Sequence, residues 1–172
     1  MTTPFDVAFA ETMKREGGYK LHTVAGDTGG MTYAGIARNP NPQWPGWAYL
    51  DRGETPPTAM VREFYRAGYW VPIRGDDLRE DIAASIFDFA VNTSAPGRPT
   101  VAVKLAQLVA GTEPDGAMGP KTVTALNALE PREFASRYFV AKMQRYADIV
   151  TRNRTQAKFL LGWLNRSLGA LT

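Results

Sequence analysis

Three residues near the front of the chain, Glu16, Asp27 and Thr32, have the types and spacing for glycosidic-bond chemistry. Cleaving a glycoside needs a carboxylic acid beside the leaving oxygen, plus a second group that handles water or stabilises a cationic transition state. Glu16 begins the run Glu16-Gly17-Gly18-Tyr19; Asp27 and Thr32 follow in Asp27-Thr28-Gly29-Gly30 and Thr32-Tyr33-Ala34-Gly35-Ile36. An acid on a helix stripe and an ionised carboxylate in a polar turn would divide the two roles. Each residue also admits a structural role. Glu16 could accept hydrogen bonds from the turn that follows it, Asp27 could close an Asx turn, and Thr32 could be an ordinary strand residue.

The elements that must position these groups are legible from periodicity. Phe5, Phe9, Met13 and Glu16 recur at helical spacing. Thr3 is a candidate N-cap with Pro4 at the first helical position, and Gly17-Gly18 gives a left-handed exit. The helical period is then lost up to Ile36, where frequent glycines predict short strands joined by tight turns. Asn39 to Pro57 holds five prolines with Trp44 and Trp47, and reads as an ordered loop whose tryptophans pack inward. Thr58 is expected to cap a helix running to about Tyr69, with Ala59, Phe64 and Trp70 as packing groups. Residues 81–92 are apolar on more than one side and predict a buried central helix. Further helices are predicted over 99–110, 120–129, 131–154 and 159–168. The fold class is mostly α (α+β).

Composition removes whole classes of chemistry. The chain of 172 residues contains no Cys and one His, His22. That excludes disulfides and makes a zinc site an unpromising reading. No G-x-S-x-G turn presents a nucleophilic serine. No run of about 18 apolar residues encodes a membrane span, and Met1 to Ala10 does not read as a signal peptide. Residues 132–172 carry eight Lys or Arg against two acidic residues. This asymmetry suits an anionic partner, and is equally explained by a solvated helix face.

The run EGGY…DTGGMTYAGI (Glu16 to Ile36) resembles the signature of the glycoside hydrolase family 108 N-acetylmuramidases, and more distantly the Glu–Asp–Thr arrangement of phage-type lysozymes. Tyr69-Trp70, Phe87 to Asn92 and Phe159 to Arg166 resemble later blocks of that family. Asp115 to Thr122 resembles a loop of its predicted peptidoglycan-binding portion. The stretch before Asp27 departs from the pattern, with Thr23-Val24-Ala25-Gly26 where Asn-Asp-Pro is usual.

The resemblance implies a lysozyme-like fold: a small β-hairpin lobe, a helical lobe and a C-terminal helical portion. It implies a muramidase portion over 1–95 and a peptidoglycan-binding portion over 96–172, packed as one compact unit. Glu16 matches the catalytic acid, with Asp27 and Thr32 positioning water or stabilising charge, and Tyr19 and Tyr33 lining a glycan groove. The expected partner is bacterial peptidoglycan rather than nucleic acid, with no metal or organic cofactor, acting as a monomer. An endolysin made in the cytoplasm, reaching the wall through a holin-type pore, fits these features. The rival expectations are a lytic transglycosylase using Glu16 alone and a non-catalytic wall-binding protein.

Overall fold

The computed structural model describes residues 2–23 and 30–169. Helix α1 spans Pro4–Arg15. Its start is a full capping box: Asp6 N–H donates to Thr3 Oγ1 at 3.2 Å, and Thr3 N–H donates to Asp6 Oδ2 at 2.9 Å. Its apolar stripe buries Phe5, Ala8, Phe9 and Met13. Three short strands follow, β1 Leu21–Thr23, β2 Met31–Tyr33 and β3 Ile36–Ala37, in one antiparallel sheet of order β1-β2-β3. The register pairs His22 with Thr32 and Thr32 with Ala37, so these three share one face.

Residues 39–57 are ordered as expected, around the single helical turn α2 (Trp47–Leu50). Trp44 and Trp47 are buried, their rings 5.0 Å apart edge to face. Helix α3 covers Thr58–Tyr65 and continues as a π-helical turn over Arg66–Trp70. Three sequence expectations are corrected here. Pro57, not Thr58, holds the N-cap position; Ala59 is exposed rather than a packing group; and the last turn widens from α to π. That turn buries Gly68, Tyr69 and Trp70 together. Trp70 reaches the protein centre, where its ring meets Phe5 at 5.4 Å and Phe87 at 5.7 Å.

Helix α4 (Glu80–Thr93) is the buried central helix the sequence predicts, with Ile82, Ala83, Ile86, Phe87, Phe89 and Ala90 in the core. It packs on α1, on α5 (Thr100–Ala110) and on α7 (Pro131–Arg152). Helix α6 (Pro120–Asn127) closes this cluster through Asn127, whose side chain accepts from Arg79 N–H at 2.9 Å and donates to Asp77 O at 2.8 Å. The last helix, α8 (Ala157–Gly169), folds back along α7, with Trp163 stacked on Tyr146 at 5.2 Å. The result is a mostly α chain with one small antiparallel sheet, the architecture expected from the sequence.

The basic C-terminal segment is not simply a solvated face. Arg137 is exposed and paired with Glu133, but Lys142 is 3% exposed and Arg166 turns inward.

Candidate active site

Glu16 is the C-cap residue of α1. The two glycines after it complete a Schellman motif: Gly18 N–H donates to Met13 O at 2.8 Å, and Gly17 N–H to Lys14 O at 3.4 Å, with φ of +77° and +82°. Those amides are thus satisfied by backbone carbonyls and leave the Glu16 carboxylate unencumbered by the turn. The local sequence therefore fixes where the carboxylate leaves the helix. Its side chain is 24% exposed.

The β2–β3 hairpin closes over Glu16. Ala34 and Gly35 form its two-residue loop, both with positive φ (+49° and +78°), as a type I′ turn requires. A Cβ on Gly35 would stand 3.2 Å from both Cγ and Oε2 of Glu16 and 2.5 Å from the Tyr65 hydroxyl, so a side chain here would have to displace its neighbours. Ala34 is a non-glycine residue in left-handed backbone, held by two bonds. Its N–H donates to Lys20 O at 3.2 Å, and its carbonyl accepts from the buried Tyr65 hydroxyl at 2.9 Å.

Behind Glu16 lies a charged cluster that the sequence reading did not assign to the site. Arg166 of α8 donates through Nη1 to Glu16 Oε1 at 3.2 Å and through Nη2 to Asp88 Oδ1 at 3.1 Å. Arg15 reaches the same Asp88 oxygen at 2.7 Å. Asp88 is 8% exposed on α4, so its charge is compensated by two guanidinium groups. Glu16 shares its helix stripe with Phe9 and Met13, and it also has a cation at contact distance. Beside it stand Tyr65 and Tyr69, stacked at 5.8 Å. Burial, and then the nearby Glu16 charge, push the Tyr65 phenol well up and that of Tyr69 to about 12, so both are neutral hydroxyls at physiological pH.

The other candidate residues divide. Thr32 sits on β2, one strand residue before the buried Tyr33, partly exposed on the face it shares with His22. The hairpin thus brings Thr32 into the strand whose turn touches Glu16. Asp27 lies outside the described residues. Tyr19 is 42% exposed just after the helix exit, an aromatic face open to a ligand. Tyr33 is corrected from groove lining to core: it is 3% exposed and stacked on Trp44 at 6.1 Å. His22 is an exposed residue of strand β1. Among the described residues no cluster of His, Asp or Glu is arranged to hold a metal ion. Sequence carried a weak signal for the missed groups, since Asp88 and Arg166 stand inside the later blocks quoted above, but nothing local indicates that they meet.

The arrangement offers a partly exposed carboxyl group held by Arg166 on one oxygen and bordered by the hairpin turn on the other, suited to proton delivery at a glycosidic oxygen. Comparison with known proteins agrees with that class. A solved structure of SagA from Brucella abortus superposes with a TM-score of 0.70 at 26% identity, covering 96% of this chain and 90% of that one. No curated protein matches the chain by sequence. Residues 9–93 match the family described as Glycosyl hydrolase 108, and residues 101–168 match the Predicted Peptidoglycan domain. The chain therefore belongs to the glycosyl hydrolase 108 family and, with its peptidoglycan domain, is a glycoside hydrolase that acts on peptidoglycan.

Proposed function

We propose that the chain is an N-acetylmuramidase, cleaving the β-1,4 bond between N-acetylmuramic acid and N-acetylglucosamine, and that it serves as an endolysin. The observation that carries this reading is the placement of the Glu16 carboxylate at a capped helix end, against the Ala34–Gly35 turn and backed by Arg166. Glu16 delivers its proton to the leaving oxygen as the bond breaks. Asp27, assisted by Thr32, holds the attacking water or stabilises the oxocarbenium-like transition state. Tyr19 offers an aromatic face to a sugar ring. The reaction so written uses no metal or organic cofactor.

In this reading residues 1–95 form the muramidase portion and 96–172 the wall-binding portion of one monomeric unit. The enzyme is made in the cytoplasm and reaches the wall through a holin-type pore. The exposed arginines and lysines of α7 and α8 favour an anionic polymer, so wall binding weakens with salt.

The test is digestion of purified sacculi by wild type and Glu16→Gln, with mass spectrometry of the products. Reducing N-acetylmuramic ends from wild type and none from the variant support the proposal. Anhydromuramyl ends, lighter by one water, would instead make the enzyme a lytic transglycosylase. Binding without release of soluble fragments would replace the enzyme with a wall-binding protein.

A further inference from the structure

Arg166 is an expensive side chain to place where it stands. Its side chain is 20% exposed, and its Nε is buried without a hydrogen-bond partner among the described residues. A buried unsatisfied donor on a charged group costs stability. Its two terminal nitrogens are split between Glu16 and Asp88 instead of being spent as a fork on one carboxylate. Asp88 is in turn held by Arg15, the residue next to Glu16 at the end of α1. The four side chains form a closed relay in which α1, α4 and α8 fix one another.

A guanidinium has donors and no acceptor. The Glu16 oxygen that it holds, Oε1, is therefore occupied as an acceptor and is not the one that carries a transferable proton. The other oxygen, Oε2, is the one that borders Gly35.

We propose that Arg166 is a positioning residue that assigns the reactive proton to Oε2 of Glu16, with Asp88 and Arg15 holding Arg166 in place. This rests on the reading of Glu16 as the acid. It gives the C-terminal portion a second task. The segment matched to the peptidoglycan domain ends at residue 168, so it contains Arg166 and contributes to the catalytic centre as well as to wall contact.

The experiment uses the full chain and a soluble tetrasaccharide of alternating N-acetylglucosamine and N-acetylmuramic acid, with Arg166→Ala, Arg166→Lys and Glu16→Gln. Arg166→Ala is expected to lose kcat by about 10–100-fold, the scale for a misaligned reacting group, with KM changed by less than about 2-fold. Added guanidinium ion at millimolar concentration restores part of that kcat. Arg166→Lys falls between, because one ammonium does not span both carboxylates; it also carries the test if the alanine variant does not fold. Full kcat in a folded Arg166 variant, or a loss confined to KM, overturns the proposal while Glu16→Gln remains inactive. An active Glu16→Gln instead removes the acid reading itself, and the two failures are told apart.

Discussion

Gly35 stands so near Glu16 that a Cβ there would lie 3.2 Å from Oε2 of Glu16 and 2.5 Å from the Tyr65 hydroxyl. The hairpin can cover the carboxylate only because this position has no side chain and tolerates φ of +78°. Gly35→Ala is expected to destabilise the fold by about 1–3 kcal/mol through backbone strain and the contact with Tyr65. Activity should fall further than stability explains. Denaturant titration beside a hydrolysis assay measures both, and unchanged values in each would contradict the close approach.

Tyr65 provides a second check on the same turn. Its buried hydroxyl donates to Ala34 O at 2.9 Å, so Tyr65→Phe leaves that carbonyl without its partner at a cost of about 1–3 kcal/mol. The same change removes the atom that a Gly35 side chain would strike. The double variant is therefore expected to be more stable than the sum of the two singles, by about 0.5–3 kcal/mol of coupling. Strict additivity would mean that the two residues do not meet.

Lys142 is a buried ammonium on α7, near the rings of Phe89 and Tyr138 at 5.9 and 5.4 Å, with no carboxylate at ion-pair distance among the described residues. It borders a cavity of about 440 Å³ between α1, α4 and α7 that Asp88 and Arg15 also line. Burial pulls its pKa below the ordinary 10.5, against the opposing pull of Asp88. The folded chain therefore binds fewer protons than the unfolded one between the lowered value and 10.5, and stability rises with pH across that window. Lys142→Met should stabilise the protein at neutral pH by about 1 kcal/mol, or about 2–4 °C in Tm. The advantage should shrink as pH approaches 10. Melting curves at neutral and alkaline pH decide it; a lower Tm for the variant at pH 7 would refute the reading.

Asp6 sets an acid limit on α1. Its hydrogen bonds from Thr3, backbone first and then side chain, together with Arg62, hold its pKa at about 2. Because the folded value is depressed, the stabilisation is complete above the ordinary 3.8 and is lost as pH falls through about 2. Asp6→Asn should therefore melt below wild type at pH 6 and converge with it near pH 2. Parallel melting curves across that range would show that the capping box does not govern the acid response.

Much of the architecture is a local consequence of sequence. Thr3-Pro4 and Gly17-Gly18 bracket α1 because capping and left-handed exits depend on residues a few positions apart. The apolar run over Ile82 to Ala90 could only be a buried helix. Glu16 at the end of α1 followed from the same local rules, as did the hairpin bearing Thr32. The face of Tyr33 did not. Strand residues alternate sides, and which parity turns inward depends on what covers the sheet; here Trp44 covers it. The π turn over Arg66–Trp70 was likewise set by packing, since it seats Trp70 between Phe5 and Phe87.

The two ends of α1, the helix-end carboxylate and the tight glycine-rich turns before Ile36 are local matters, because each rests on backbone preferences acting over a few residues. What stands behind Glu16 depends on long-range packing. Arg166 is 150 positions away and Asp88 lies 78 from Arg166, and nothing local in either segment encodes the other. Their meeting depends on α8 folding back along α7 and on α4 crossing α1 at the depth that buries Asp88. A charge on an isolated segment reads as a solvated side chain; it becomes part of a site only when packing removes the water and brings in its partners.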